Sequence, residues 1–455
     1  MQSKTNVERV CRTTRSAGPA PLSLSLSLSS SLSVSLFATL TLSAAVLPST
    51  GCINRSLVGE ILHGRGADGP PPGDTDGGAI AATGGRSGNG DGSGSGGALP
   101  YPDGGLSGDR HLTSASKLDL LFMIDDSSSM KPLQDKLAKG IPGFTTVLQG
   151  LPGGLPDLHV AVISSSLGAG AYGDVPGCMQ GPPGDDGGKF QHLAGCGLPA
   201  GQSFVKASAA GSINNFTGSL DGVVSCLTQL GDGGCGFEHQ LESTRQALIK
   251  SSTPNDPDNV GFLRDDAYLA IVMLTNEDDC SVPPDSQLFD TAVQSVNDQP
   301  PLGGLWSYRC NEFGHRCDQP LPHVATGLPM TLTNCRSAEN SDGLYHLTPV
   351  ADFVSFLLTL KRDPNQVFVA ALTGPAQPYT IHAHLSQLSN GATEMQPEIV
   401  HSCTAADGSY ADPAVRLTQF IGSFGPNGAF ESLCADDLGA SLTRIAQQLA
   451  GVMHP

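Results

Sequence analysis

The sequence predicts a doubly wound α/β fold with a mainly parallel central sheet. Two observations predict it. Four near-continuous apolar runs of strand length each stop abruptly at a polar cluster, as strands buried on both faces do. Between them lie stretches whose apolar residues recur every three or four positions, the spacing of one helix face. Strands alternating with helices imply parallel pairing through crossovers, with helices covering both faces of the sheet.

The first strand is residues 118–124, ending in Asp125-Asp-Ser-Ser-Ser-Met130. Leu133, Leu137, Ile141, Phe144 and Leu148 then form a helical stripe, which Pro142 is expected to bend or interrupt. Residues 157–163 are a second buried strand, followed by a Gly- and Cys-containing insertion at about 164–212. Phe216, Leu220, Val223, Val224, Leu227 and Leu230 mark another helix, closed by the Gly-rich run 231–236. A further helix starts near Glu238, with Leu241, Ala247 and Leu248 inward. The third strand, 268–275, runs into Asn276-Glu-Asp-Asp-Cys280, and a Pro- and Cys-rich insertion covers about 281–345. Thr348-Pro349 reads as a capped helix start before Val350, Phe353, Val354 and Leu357. The fourth strand, 366–372, stops at Thr373-Gly374, and Leu438, Leu442, Ile445, Leu449 and Val452 form a closing amphipathic helix.

Composition bounds the rest. Of 455 residues 57 are Gly, and 17 of those fall between Gly64 and Arg110, so the foldable part begins near residue 111. Residues 52–110 cannot bury enough apolar surface to offset their ordering entropy, and they lack the every-third-Gly period of collagen. They read as a disordered tether, spanning about 40 Å root-mean-square as a random coil. Ahead of it, Lys4, Arg9, Arg12 and Arg15 precede an uncharged stretch and the apolar core 36–47, an export-signal layout over residues 1–51. The end, Pro48-Ser-Thr-Gly-Cys52, resembles a bacterial lipoprotein signal, which implies lipidation of Cys52, although Ser49 stands where an aliphatic residue is usual. An uncleaved membrane anchor is the alternative, disfavoured by Ser at nearly every second position. The expected location is the bacterial cell envelope, with membrane contact only through the lipid. Loss of residues 1–51 removes four basic and one acidic side chain and takes the formal charge from −19 to −22. That charge repels nucleic acid and argues against a nucleic-acid-binding role.

Apart from Cys11 and Cys52, ten cysteines remain: Cys178, Cys196, Cys226, Cys235, Cys280, Cys310, Cys317, Cys335, Cys403 and Cys434. An even number in an exported chain argues for five disulfides. Proximity suggests Cys178 with Cys196, Cys226 with Cys235, Cys310 with Cys317, Cys403 with Cys434 and Cys280 with Cys335, though sequence leaves connectivity open. The alternative is a zinc cluster around Cys310, His315, Cys317, His323 and Cys335, whose spacing is not that of a zinc finger.

In an open α/β sheet, ligands bind outside the carboxyl ends of the strands. At the end of the first strand Asp125-x-Ser127-x-Ser129 can turn one carboxylate and two hydroxyls toward one point, a hard oxygen set suited to Mg²⁺, with Mn²⁺ and Ca²⁺ as other candidates. The same residues could instead cap the helix that follows. With Met130 they resemble the metal-ion-dependent adhesion site (MIDAS) of the von Willebrand factor type A (VWA) domain family. The resemblance covers residues 117–452, outside the insertions, and implies a Rossmann-like VWA fold. It also implies two more ligand positions, a Thr and an Asp in the family, which fall here on Glu238 and Asn276. The first exchange adds a charge and the second removes one, so total charge is kept while geometry changes. Asp278 or Asp279 could stand in for Asn276, Glu238 could be an ordinary first-turn helix acid, and residues 277–279 could be solvated loop charges.

The function implied is cell-envelope adhesion, the metal offering an open position to a carboxylate from a protein partner. A structural envelope protein with a degenerate, metal-free site is the alternative, and a metal-dependent hydrolase a weaker one. Enzyme motifs are missing: there is no G-x-S-x-G elbow, and His382-x-His384 lacks the i, i+4 spacing of a metalloprotease.

Overall fold

A computed structural model describes residues 116–179, 181–339, 346–388 and 390–454. The export segment 1–51, Cys52 and the tether 52–110 lie outside these. Among the described residues no helix is long and apolar enough to cross a membrane.

The elements in chain order are β1 (Lys117–Ile124), α1 (Lys131–Gln149), β2 (Asp157–Ser164), β3 (Val205–Ala207), α2 (Leu220–Leu227), α3 (Gln240–Ser252), β4 (Tyr268–Leu274) and α4 (Tyr308–Gly314). There follow β5 (His315–Arg316), β6 (Met330–Leu332), β7 (Arg336–Ser337), α5 (Val350–Thr359), β8 (Val367–Thr373), β9 (Tyr379–Gln387) and β10 (Thr393–Val400). The last are β11 (Cys403–Thr404), β12 (Tyr410–Ala411), α6 (Val415–Gly422), β13 (Gly428–Ser432) and α7 (Leu438–Met453).

Six strands form the central sheet in the order β13-β8-β4-β1-β2-β3. All neighbours pair parallel except β2 and β3, which are antiparallel. The four strands read from sequence are its middle, and β3 and β13 are edge strands that the sequence reading did not find. β3 sits inside the stretch taken as an insertion; at three residues it is too short to show a period.

The pleat sends alternate residues of β1 to opposite faces. Leu118, Leu120, Phe122 and Ile124 join a core with side chains of α1, α2 and α7, while Leu121 and Met123 join one with α3, α5 and α6. α1 and α7 touch closely: a Cβ on Gly140 would lie 2.7 Å from Leu442 Cδ1 and 2.9 Å from Gly439 Cα. Only glycine permits that spacing.

Two local expectations are corrected. Pro142 does not interrupt α1, which runs through it. The carbonyl four residues earlier, that of Ala138, loses its helical donor and accepts instead from Ser225 Oγ of α2 at 2.9 Å. Thr348 does not cap α5; Pro349 occupies that position without a side-chain bond, and the Thr348 carbonyl accepts from Arg416.

At the amino end of the sheet Arg264 ties three chain segments together. It donates to both carboxylate oxygens of Asp119, from its backbone N at 2.7 Å and Nε at 2.8 Å, and to Asp157 at 2.7 Å. Lys361 Nζ lies 3.6 Å from Asp119.

The 281–345 insertion carries α4, β5, β6 and β7. β6 pairs with β9 of the β9–β10 hairpin to form a second, antiparallel sheet. Buried Arg309 organises the insertion, donating only to backbone carbonyls: Gly303, Gly304, Leu288, Asp290 and Val293.

All ten cysteines form disulfides, but only Cys403–Cys434 follows the proximity pairing. The others are Cys178–Cys235, Cys196–Cys226, Cys280–Cys310 and Cys317–Cys335. Cys226 and Cys235 are close in sequence, yet α2 holds the first against the Cys196 loop while the turn after α2 carries the second to the strand ends. Cys310, Cys317 and Cys335 have their sulfurs in disulfides, which removes the zinc alternative. Peptide mapping under non-reducing conditions is expected to recover Cys178–Cys235 and Cys280–Cys310 linked peptides and no Cys226–Cys235 link.

His159 in β2 gives a pH prediction. Its Nδ1 donates to the Phe262 carbonyl at 2.8 Å, and burial lowers its pKa to about 4. The folded state therefore resists a proton that the unfolded chain takes up near pH 6.5, and stability falls as pH drops from 6.5 to about 4. The contribution is about 3 kcal/mol. Denaturant titrations should show that His159→Gln loses about that much less than the wild type across the same window.

Candidate functional site

Register brings the strand ends level. Ile124 pairs with Ser164 and Leu274, and Leu274 with Leu372, so the loops beginning at Asp125, Ser165, Thr275 and Gly374 emerge side by side. Asp125 N donates to the Leu274 carbonyl at 2.9 Å, extending the β1–β4 pairing by one residue.

Asp125 is fully buried. Its Oδ1 accepts from Ser127 N at 2.8 Å and its Oδ2 from Thr275 Oγ1 at 2.7 Å. Gln134 of α1 holds the loop from below, donating to the Asp125 carbonyl and to the Gly231 carbonyl at 2.8 Å each and accepting from Gly231 N at 2.9 Å.

The 231–239 turn folds over this loop. Gly234 N donates to the Asp126 carbonyl at 2.7 Å, and a Cβ on Gly234 would lie 2.4 Å from the Asp126 carboxylate, so the approach requires glycine. Ser166 Oγ donates to Asp126 at 2.8 Å and accepts from Cys235 N at 2.9 Å. His239 N donates to the Ser165 carbonyl, and Cys280 N to the Glu238 carbonyl at 2.8 Å. These bonds set Glu238 between the β1 and β4 loops, just ahead of α3.

The three acids after β4 separate. Glu277 faces Glu238, close enough that each carboxyl shifts the pKa of the other, and Ser307 of the insertion lies beside Glu277. Asp278 turns away and accepts from the backbone N–H groups of Arg416 and Leu417 at 2.7 and 3.0 Å, at the start of α6, and lies 2.8 Å from His315. Asp279 accepts from Arg416 Nη2 at 2.9 Å and from Leu241 N at 2.9 Å, at the start of α3. Neither Asp278 nor Asp279 replaces Asn276 at the strand ends, and none of the three is a solvated surface charge. Asn276 itself is buried and donates from Nδ2 to Ser129 Oγ at 2.9 Å.

The strand ends thus bring Asp125, Ser127, Ser129, Glu238 and Asn276 near one another, together with Glu277, which the sequence grouped with the loop charges, and Thr275 and Gln240, which it did not single out. Gln240 donates to Thr275 Oγ1 at 2.9 Å. Glu277 had a signal, an acid directly after Asn276, but its direction could not be read from the loop.

Electrostatics mark the site. Burial raises the Asp125 carboxyl against the pull of its Ser127 and Thr275 bonds. Glu238 is raised well above the ordinary range by burial, then by Glu277 and Asp125. Glu277 is raised to about 8 by burial, then by Asp412 and Asp125. By contrast Asp278 is held below the usual range: burial opposes this, but His315 and the two backbone N–H donors outweigh it.

The donor set fits a hard cation. Ser127 Oγ, Glu238 Oε1, Asn276 Oδ1, Gln240 Oε1 and Glu277 Oε2 are buried oxygen atoms without a hydrogen-bond partner. An unpartnered buried acceptor costs about 1–3 kcal/mol, so five in one group of strand-end residues, two of them carboxylate oxygens, are a large penalty unless something positive meets them. Among the described residues no three His, Cys, Asp or Glu side chains alone are arranged to hold a metal. The set here is mixed: carboxylates, a hydroxyl and amide oxygens.

Two openings reach it. A cleft of 580 Å³ is lined by Ser129 and Asn276, and a pocket of 210 Å³ by Glu277; Tyr410 borders both.

The sequence matches no protein-family profile and no curated protein. Among solved structures the chain is similar to the pilus adhesin SpaC from Lactobacillus rhamnosus GG, at 14% identity and a TM-score of 0.31, over 74% of this chain and 31% of the adhesin. The open conformation of the same adhesin gives 11% identity and a TM-score of 0.30, over 74% and 30%. The chain spans less than a third of that adhesin's length, and similarity at this level carries no functional conclusion.

The buried Arg416–Asp279 pair holds the loop that aims Glu277. Arg416→Ala, which leaves Asp279 uncompensated, is expected to lower unfolding stability by about 3–5 kcal/mol, and adding Asp279→Ala should restore part of that in a double-mutant cycle.

Proposed function

We propose that the strand-end site binds a divalent cation, Mg²⁺ first among candidates, and that the chain is a cell-envelope binding protein of the VWA type. One observation carries the reading: among the strand-end residues around Asp125, five buried oxygen atoms, two of them from the carboxylates of Glu238 and Glu277, have no hydrogen-bond partner. Ser127, Glu238, Asn276 and Glu277 would hold the ion, with Asp125 supplying charge and Ser129 standing at the 580 Å³ opening. When bound, the ion supplies a positive centre that a carboxylate can approach. The protein's own groups set the charge, exclude water and leave one side open. Through that side a protein partner would present an acidic side chain, metal-dependent despite the −22 background.

Ser127→Ala separates this from a structural role. Because Ser127 Oγ has no protein partner, its removal should leave metal-free stability unchanged or slightly raised. The rise in thermal midpoint with saturating Mg²⁺, a few degrees in the wild type and abolished by EDTA, should shrink in the variant. Glu238→Gln should behave alike, more stable without metal and less responsive to it. A wild-type midpoint indifferent to Mg²⁺, Mn²⁺ and Ca²⁺ sinks the proposal.

A second reading, a metal-free envelope protein, is favoured by one juxtaposition: the Glu238 and Glu277 carboxyls face each other, so that a proton shared between them would take the place of a cation. It expects no metal response, and it expects Glu238→Gln to keep binding any partner that the wild type binds.

A further inference from the structure

Beside the cation site lies a second pocket that the proposed function leaves unused. It measures 210 Å³, and four separate segments build it: Glu277 from the loop after β4, Trp306 from the insertion, Glu398 from β10, and His401, Tyr410 and Asp412 from around the β11–β12 turn. Its acids meet no fixed counter-charge, only the titratable His384 and His401. Three carboxylates line it and no Lys or Arg does.

Imidazoles hold two of the acids without neutralising them once deprotonated. Glu398 lies 2.6 Å from His382 Nε2 and 3.2 Å from His384 Nδ1, and Asp412 2.6 Å from His401 Nδ1. The third acid, Glu277, keeps Oε2 shielded from solvent and without a partner. The aromatic walls are braced. Tyr410 stacks on His401 with ring centroids 3.7 Å apart, and Trp306 meets His384 edge-on at 6.2 Å.

Carboxylates spread around a cavity with aromatic rings in its walls match a flat, delocalised cation, which can bond at its edge and stack on its face. An ammonium concentrates its charge at one point and has no face to stack. The geometry points to a guanidinium: we propose that this pocket takes the side chain of an arginine from a protein partner. Glu277 is the wall shared with the cation site, whereas Glu398, Asp412, Trp306 and Tyr410 stand outside the proposed ion ligands. The proposal therefore holds with or without the ion.

Trp306 is the one Trp of the chain, so intrinsic fluorescence reports on this pocket. N-acetyl-arginine amide titrated into the purified full chain in EDTA is expected to change its emission saturably. N-acetyl-citrulline amide, of the same shape without the charge, should give no saturable change, and the lysine analogue should bind more weakly. Glu398→Gln and Asp412→Asn should each weaken arginine binding by about tenfold. Equal responses to arginine and citrulline, lysine binding as tight as arginine, or unaltered arginine binding in both variants would overturn the proposal. Should a variant fail to fold, the contrast among the three amides on the wild type decides alone. Glu398→Gln should keep its Mg²⁺-dependent rise in thermal midpoint. A wild type with an intact arginine response and no Mg²⁺ response would sink the cation reading and leave this one standing.

Discussion

Three carboxylates without a basic partner, those of the buried Asp125 and Glu238 and the part-buried Glu277, set the terms for everything around them. Burying one ionised carboxylate is costly, and like charges in contact add to the cost, so the group must take up protons or meet a cation. Their raised pKa values express that demand. The surroundings do not relieve it. They supply hydroxyls and backbone N–H groups to Asp125 but leave acceptor oxygens of Ser127, Glu238, Gln240, Asn276 and Glu277 unmet. The cation of the proposed function would answer that demand at the carboxyl ends of the parallel strands.

Basic residues are placed where they serve the scaffold. Arg264 and Lys361 secure Asp119 at the opposite end of the sheet, Arg416 neutralises Asp279, and Arg309 is spent on backbone carbonyls of the insertion. That last arrangement has a functional effect. By pinning Gly303 and Gly304, Arg309 fixes the turn carrying Trp306 and Ser307, both of which line the 210 Å³ pocket with Glu277. Cys280–Cys310 joins the loop of the acids to the same insertion. The insertion is thus a wall of the site and not an appendage.

Much of this was legible in the chain. Strands buried on both faces declare themselves as apolar runs, and the polar residues that end them lie at one edge whenever pairing is parallel and in register. Hence the polar residues that follow β1 and β4, Asp125, Ser127, Ser129 and Asn276 among them, could be placed at one edge beforehand, whereas Glu238, which ends no strand, was picked out only through the resemblance to the VWA family. The β9–β10 hairpin was missed because it is half exposed and its residues, such as His382, His384 and Glu398, mix polar and apolar without a clear period. Disulfide pairing failed for a different reason: sequence distance is a poor guide once a helix such as α2 carries Cys226 toward Cys196 and away from Cys235.

By itself the sequence determined the alternation of strands and helices, the four central strands and the acidic, oxygen-rich character of their ends, because burial and period are local properties. Only the tertiary structure decided which way each acid of the 277–279 run points. That choice depends on distant groups, Glu238 and Ser307 for Glu277, the start of α6 and His315 for Asp278, and Arg416 for Asp279. Three adjacent carboxylates with the same chemistry therefore receive three fates, and only the one left without a counter-charge belongs to the site.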